Sequence, residues 1–219
     1  GRGRLVVNGT GDVRADPWWY GSPPDYGLAL AGLGGLFGED DLTVVNLECA
    51  PSRSGAPVPK NYNFRCPLDA LPAARAAGVD VANLANNHAG DYGLAAMLDG
   101  EANVRAAGIT PVGVGDDAAD AYAGVALERE GWDIIVLGFN AKNYNPEWFA
   151  TATRPGMASG IDAATIEAVV AAAADRADLV FVTIHWGLEG TYTPHPDDRI
   201  RARAAIDAGA DAVFGHHHP

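Results

Sequence analysis

Lysine is nearly missing from this sequence: Lys60 and Lys142 are the only two in 219 residues, against 28 Asp and Glu. The formal net charge is −13 and the sequence pI lies near 4.6. Such a chain lacks the basic face of a general nucleic-acid binder, so no nucleic-acid partner is expected. The acidity itself reads first as solubility. Cysteine is scarce too. Cys49 and Cys66 are too few for a disulfide framework and lack the CxxC spacing of a zinc ribbon, so one disulfide is permitted rather than implied. No apolar run approaches the ~18–20 residues that a membrane span needs. The chain enters its first apolar segment within a few residues of Gly1, with no basic-then-apolar leader. The compartment stays open between the cytoplasm and, had a leader been removed, the cell envelope. Internal repeats are also lacking.

What is present is an alternation of short β-type runs with longer alanine-rich amphipathic stretches, the pattern of an α/β domain, expected as one unit over residues 1–219. Strands are expected at 5–8, 43–47, 80–84, 110–114, 132–139, 179–185 and 212–214, with a weaker one at 123–128. Helices are expected at 68–77, 92–107, 162–176 and 197–208. Gly78, Gly108 and Gly209 suit helix ends, and Asp162 suits a helix start. Three segments lack regular periodicity: 16–25, 50–67 and 141–160. Loops of that length in a compact domain are usually functional or mobile, and the third, with Tyr144, Trp148 and Phe149, is placed to close over a site.

Five of the six histidines fall in three polar motifs, Asn86-Asn87-His88, His185-Trp186-Gly187 and Gly215-His216-His217-His218. Two acidic motifs precede them, Gly11-Asp12 and Asn46-Leu47-Glu48, and every one of the five follows a short apolar run. Carboxylate, amide and imidazole groups at the ends of successive strands are how a sheet assembles a metal site from residues distant in the chain. Gly11-Asp12 alone also reads as a common turn. A carboxylate such as Glu48 after a buried strand needs a metal, an arginine or a helix N-terminus as partner. Asn87 can offer an amide oxygen to a metal, leaving His88 to face whatever that metal binds, as a general acid. Asp91, three residues on, can hold the His88 ring in one tautomer; the plainer reading is an Asn-rich helix cap.

His185 alone would be an ordinary buried histidine; its place beside the other strand-end groups makes it a ligand candidate. Glu189 reads as a pocket residue or a solvated surface acid, and Trp186 as a pocket wall. Three consecutive histidines at a chain end can be a purification-tag remnant. The helix-end-to-strand context of residues 207–214 favours instead a Gly-His-x-His turn that presents His216 and His218 together. Arg14, Lys60 and Arg65 are candidates for binding a substrate phosphate or carboxylate, and segment 60–65 also reads as a loop packing Tyr62 and Phe64.

The ordered set Gly-Asp, Asn-Leu-Glu, Ala-Asn-Asn-His-x-x-Asp-x-Gly, His-Trp-Gly-x-Glu and Asp-Ala-Gly-Ala-Asp-x-x-x-Gly-His-His resembles the CapA/PgsA family, named for capsule and poly-γ-glutamate biosynthesis, from about Leu5 to Pro219. The resemblance implies a calcineurin-like metallophosphoesterase fold: a four-layer αββα sandwich with two mixed sheets flanked by helices. It implies one or two divalent ions (Mn, Zn, Fe or Mg), with Asp12 and Glu48 as acidic ligands and Glu48 as a bridge. Asn87, His185, His216 and His218 would complete the set, with His88 as the acid. The implied activity is a metal-dependent hydrolase acting on a phosphoester or a γ-glutamyl or peptide-like amide, on a small-molecule or polymer substrate carrying phosphate or carboxylate. The alternative is a non-catalytic, assisting component of polymer synthesis.

Three departures stand out. Arg14 occupies a position usually held by histidine, and Glu48 replaces an aspartate. The chain closes Gly-His-His-His-Pro where the family runs Gly-His-His-Pro-His, so the last ligands are His216 with His218, or His217 with a residue further on. The family also continues past this point, so a closing strand is expected to be missing.

Overall fold

Alternation along the strands sets the architecture, because each strand turns successive side chains to opposite faces. The computed structural model describes residues 1–17, 25–142 and 144–217. The first sheet contains β1 (Val7–Val13), β2 (Leu42–Leu47), β3 (Val81–Asn83) and β4 (Thr110–Val112) in that order, all parallel. Its outer face carries α1 (Tyr26–Ala31), α2 (Ala70–Ala76) and α3 (Leu94–Ala106), where Val45 and Leu47 pack with Leu71, Met97 and Val104. A two-stranded ribbon follows, β5 (Val114–Gly115) against β8 (Gly156–Met157), with α4 (Ala118–Ala123) between them in sequence.

The second sheet uses β6 (Val125–Arg129), β7 (Trp132–Asn140), β9 (Leu179–His185) and β10 (Ala212–His216) in the order β10-β9-β7-β6, with only β6 antiparallel. On its outer face α5 (Ala163–Ala174) and α6 (Pro196–Asp207) cover Ile135, Leu137, Val180 and Val182. Between the two sheets Leu42, Val44, Val81 and Val112 meet Ile134, Val136 and Phe181. The chain is therefore an αββα sandwich. One sheet is mixed as expected, but the other is wholly parallel.

The expected strands and helices appear with small shifts of boundary, and two differ for physical reasons. The first strand does not stop at Asn8 in a glycine turn; it runs to Val13 with an irregular register between Gly9 and Asp12. Gly9 lies against Phe214, where an added Cβ would come within 2.4 Å of the ring, so the strand kinks past β10 rather than ending. The expected strand 110–114 is broken at Gly113, whose φ of +86° sends Val114 to a different partner. Helices α1 and α4, each six residues long, were not expected. Gly78, Gly108 and Gly209 do sit left-handed after helices, and Asp162 caps α5 by accepting from the Ala164 N–H. Cys49 and Cys66 form a disulfide. No helix among the described residues is long and apolar enough to cross a membrane.

Candidate metal centre

The inward faces of the strands change character along their length. On β2 the inward series runs Leu42, Val44, Asn46; on β3, Val81, Asn83; on β9, Phe181, Thr183, His185; on β10, Phe214, His216. At the carboxyl ends the seam between the sheets is thus polar, although Asn46, Asn83, Thr183 and His185 are fully buried. Buried polar groups need partners, and most here have them. Asn83 Nδ2 donates to Asn46 Oδ1 at 3.0 Å, and Asn46 Nδ2 lies 2.6 Å from Asp12 Oδ1 and 3.0 Å from His185 Nδ1. Thr183 Oγ1 is 2.6 Å from His216 Nε2.

Where β2 ends, Glu48 is 4 % exposed and faces three imidazoles. Its Oε1 lies 3.6 Å from His185 Nε2, 3.8 Å from His217 Nδ1 and 3.9 Å from His88 Nε2. Glu48, His185 and His217 form a group of potential ligand atoms all within 4.8 Å of one another. His185 Nε2 and His217 Nδ1 are buried without a hydrogen-bond partner, and so is Asn87 Oδ1. Two imidazole nitrogens without partners beside a carboxylate suit a small divalent ion. The spacing is slightly wider than the roughly 3–3.5 Å expected between neighbours around an ion with bonds of about 2.0–2.2 Å. Mixed nitrogen and oxygen donors suit Zn, Mn or Fe.

His217 reaches this group through an unusual backbone. Its φ of +81° is left-handed, a conformation costing a non-glycine residue on the order of 1–3 kcal/mol. Alternation would send the residue after His216 outward; the left-handed turn brings its ring back to Glu48 while its N–H donates to Asp12 Oδ2 at 3.0 Å. Burial works to raise the Asp12 carboxyl, but donors from His185 and Asn46 outweigh it and hold the group at about 2. Burial lowers His185 despite the opposing pull of Asp12 and Glu48, favouring the neutral, metal-binding ring. His216 is lowered to about 4, again mainly by burial.

Beside the group lies the turn 87–91. His88 Nδ1 is 2.6 Å from Asp91 Oδ2, and the ring stacks on Phe64 at 4.0 Å. Asp91 is fully buried; it also accepts from the Phe64 N–H at 2.7 Å and from Lys60 Nζ at 2.7 Å. A cleft of about 800 Å³ opens here, lined by Arg14, Phe64, Asn87, His88, Tyr144 and Glu189. A hollow of about 460 Å³, sharing Arg14 and Glu189 with it, reaches Asp12, Glu48 and His217. Trp148 packs on Gly90, so residues 144–160 lean on this turn through that ring.

Of the residues singled out from the sequence, Asp12, Glu48, His88, Asp91 and His185 come together, with Asn87, Arg14 and Glu189 lining the cleft beside them. Asp12 faces the Nδ1 side of His185, at 3.6 Å, rather than the Nε2 side that meets Glu48. Others are corrected. His216 does not join the group, because the alternation of β10 points it at Thr183; His217 takes its place. His218 lies outside the described residues. Trp186 does not line the cleft, since the residue after inward His185 must face outward, where it packs in the helix-covered core. Arg65 turns away: its guanidinium donates to the carbonyls of Arg53, Ser54 and Gly55 and stacks on Tyr92. Lys60 lines the cleft but is spent internally. Sequence reasoning also missed Asn46 and Asn83, whose signal was a pair of asparagines at inward positions of apolar strands.

Residues 6–219 match the family described as "Bacterial capsule synthesis protein PGA_cap". The chain is 33% identical over 161 residues to "Capsule biosynthesis protein CapA" of Bacillus anthracis, covering 72% of this chain and 39% of that one. It is 34% identical over 225 residues to "Probable polyglutamine synthesis accessory protein" of Mycobacterium tuberculosis, covering 97% of this chain and 57% of that one. It is 36% identical over 140 residues to "PGA biosynthesis protein CapA" of Bacillus subtilis (strain 168), covering 63% and 36%. The chain therefore spans between about a third and three fifths of the length of these curated relatives. With the family match running over nearly the whole chain and containing every residue of the polar seam, the protein belongs to the PGA_cap family of bacterial capsule synthesis proteins.

Proposed function

We propose that Glu48, Asn87, His185 and His217 hold a divalent metal ion, and that the centre is a hydrolase acting on a phosphoester or a γ-glutamyl or peptide-like amide in capsule or poly-γ-glutamate metabolism. The observation that carries this reading is the pair of orphaned nitrogens, His185 Nε2 and His217 Nδ1, facing the buried Glu48 carboxylate. A divalent metal bound there supplies Lewis acidity and lowers the pKa of water that it coordinates.

The chain's own groups supply the rest. Asp12 and Asn46 engage the Nδ1 side of His185 and so aim its Nε2 at Glu48. Asp91 holds the Nδ1–H of His88, which directs Nε2 towards the centre, where the protonated ring can deliver a proton to a leaving group. Phe64, stacked on that ring, keeps water from its face. Arg14, exposed at the rim with its Nε 3.9 Å from Glu48 Oε2, is positioned to bind the phosphate or carboxylate of a substrate.

The test is metal quantification on protein prepared without chelator, followed by phosphoesters and γ-glutamyl amides assayed on the same sample. Stoichiometric Mn, Zn or Fe with metal-dependent turnover of one substrate class is the expected result. A second reading, an assisting component without turnover, is favoured by the name of the mycobacterial relatives. It predicts retained metal and no hydrolysis of either class.

A further inference from the structure

Lys60, one of two lysines in the chain, stands inside the protein, with its side chain 8 % exposed. Its ammonium donates to Asp91 Oδ1 at 2.7 Å and to the Asn87 carbonyl at 2.6 Å, lies 3.1 Å from His88 Nδ1, and sits over the Tyr144 ring at 5.0 Å. A cation that reads substrate keeps N–H groups turned to the cleft. Here two of the three are committed to the turn 87–91, and the ring of Tyr144 covers the ammonium.

The segment that delivers Lys60 is organised around the same turn. It is closed at its base by the Cys49–Cys66 disulfide and by the bridge between Ala50 and Arg65. Arg65 fastens it from within through the carbonyls of Arg53, Ser54 and Gly55. From this strap the Val58 N–H reaches the Asp91 carbonyl, the Phe64 N–H reaches Asp91 Oδ2, and the Phe64 ring covers His88. Three residues of the strap, Val58, Lys60 and Phe64, thus converge on one turn.

We infer that Lys60 is a positioning residue: by tying the Asn87 carbonyl to the Asp91 carboxylate it fixes the Asn87 amide and the His88 ring at the site, and it does not contact substrate. What it positions follows from the hydrolase reading above; that it fixes the turn is independent of that reading. Burial lowers the Lys60 ammonium and Asp91 opposes this, as expected of a cation retained inside by one carboxylate.

The experiment uses the full chain with Lys60→Met, and Lys60→Gln as a second variant should Lys60→Met not fold. The first readout is the imidazole NMR of ¹⁵N-labelled protein, recorded with and without added zinc. Wild type is expected to show a protected His88 Nδ1–H resonance, and both variants a mixture of tautomers. The second readout is kinetic: kcat lowered about 10–100-fold, as for loss of an outer-shell partner, with KM for an anionic substrate unchanged. An intact Nδ1–H resonance in the variants overturns the proposal. So does a raised KM with kcat preserved, which is the signature of a substrate contact. If wild type turns over nothing, the hydrolase reading fails, and the resonance still decides the role of Lys60.

Discussion

The two ends of the seam between the sheets are built on the same strands and the same inward faces, yet they differ in what they leave unsatisfied. At one end Leu42, Val44, Val81, Ile134 and Val136 fill the space with hydrocarbon and leave nothing wanting. At the other, four strands end in amide, hydroxyl and imidazole groups, and His185 Nε2, His217 Nδ1 and His216 Nδ1 remain without partners. The first end stabilises the fold by burial. The second holds unpaired polar atoms and a left-handed His217, both costs to the fold. The candidate site and the apolar core are therefore separated along about three residues of strand, and substitutions at the two ends are expected to act in opposite senses.

Glu48→Gln breaks the comparison most severely. Metal affinity is expected to fall by more than the roughly 10–100-fold that loss of an outer-shell partner costs. The metal-free variant is expected to be no less stable than wild type, since a buried carboxylate becomes a neutral amide of the same shape. Metal titration and denaturant melts of the same samples check both halves. His88→Ala comes next: turnover is expected to drop about 10²–10⁴-fold with metal retained, and wild-type rates in that variant end the case for a general acid. Ile134→Ala is the mirror image. It is expected to cost about 2–5 kcal/mol in denaturant while the folded protein keeps its full metal content.

Acid separates two groups at the polar end of the metal-free protein. His216 has a folded pKa of about 4 against 6.5. Above pH 6.5 it is neutral whether folded or unfolded and contributes nothing. Between pH 6.5 and 4 the unfolded chain takes the proton and the folded chain refuses it, so stability falls by roughly 3 kcal/mol as pH drops. Asp12, held at about 2 against 3.8, contributes stability above pH 3.8 that is lost only below it. His185, which burial also lowers, shares the first window, so His216→Gln is expected to shrink that window without abolishing it and to leave the second, as read by stability measured across pH.

Most of the fold was legible because it depends on periodicity. The apolar runs at 43–47 and 179–185 and the glycines after three helices placed their elements within a residue or two. The six-residue helices α1 and α4 were not, being too short for a periodic signal. In the site, strand-end placement was enough for Glu48 and His185. Strand alternation, applied strictly, would also have excluded Trp186 as a neighbour of inward His185, and would have assigned Asn46 to the same face as Glu48. It would not have found His217, because a single backbone torsion returns that ring to the site against the alternation of β10. The direction of Arg65 was equally hidden, since carbonyls of its own loop claim it.

The central claim, that the polar end of the seam is a metal centre closed by His217, is tested most directly by metal content in His217→Ala and His216→Ala beside wild type. One ion per chain in wild type and in His216→Ala, with metal lost from His217→Ala, is the predicted result. Metal that follows His216 instead, or a wild-type chain that retains none, contradicts it.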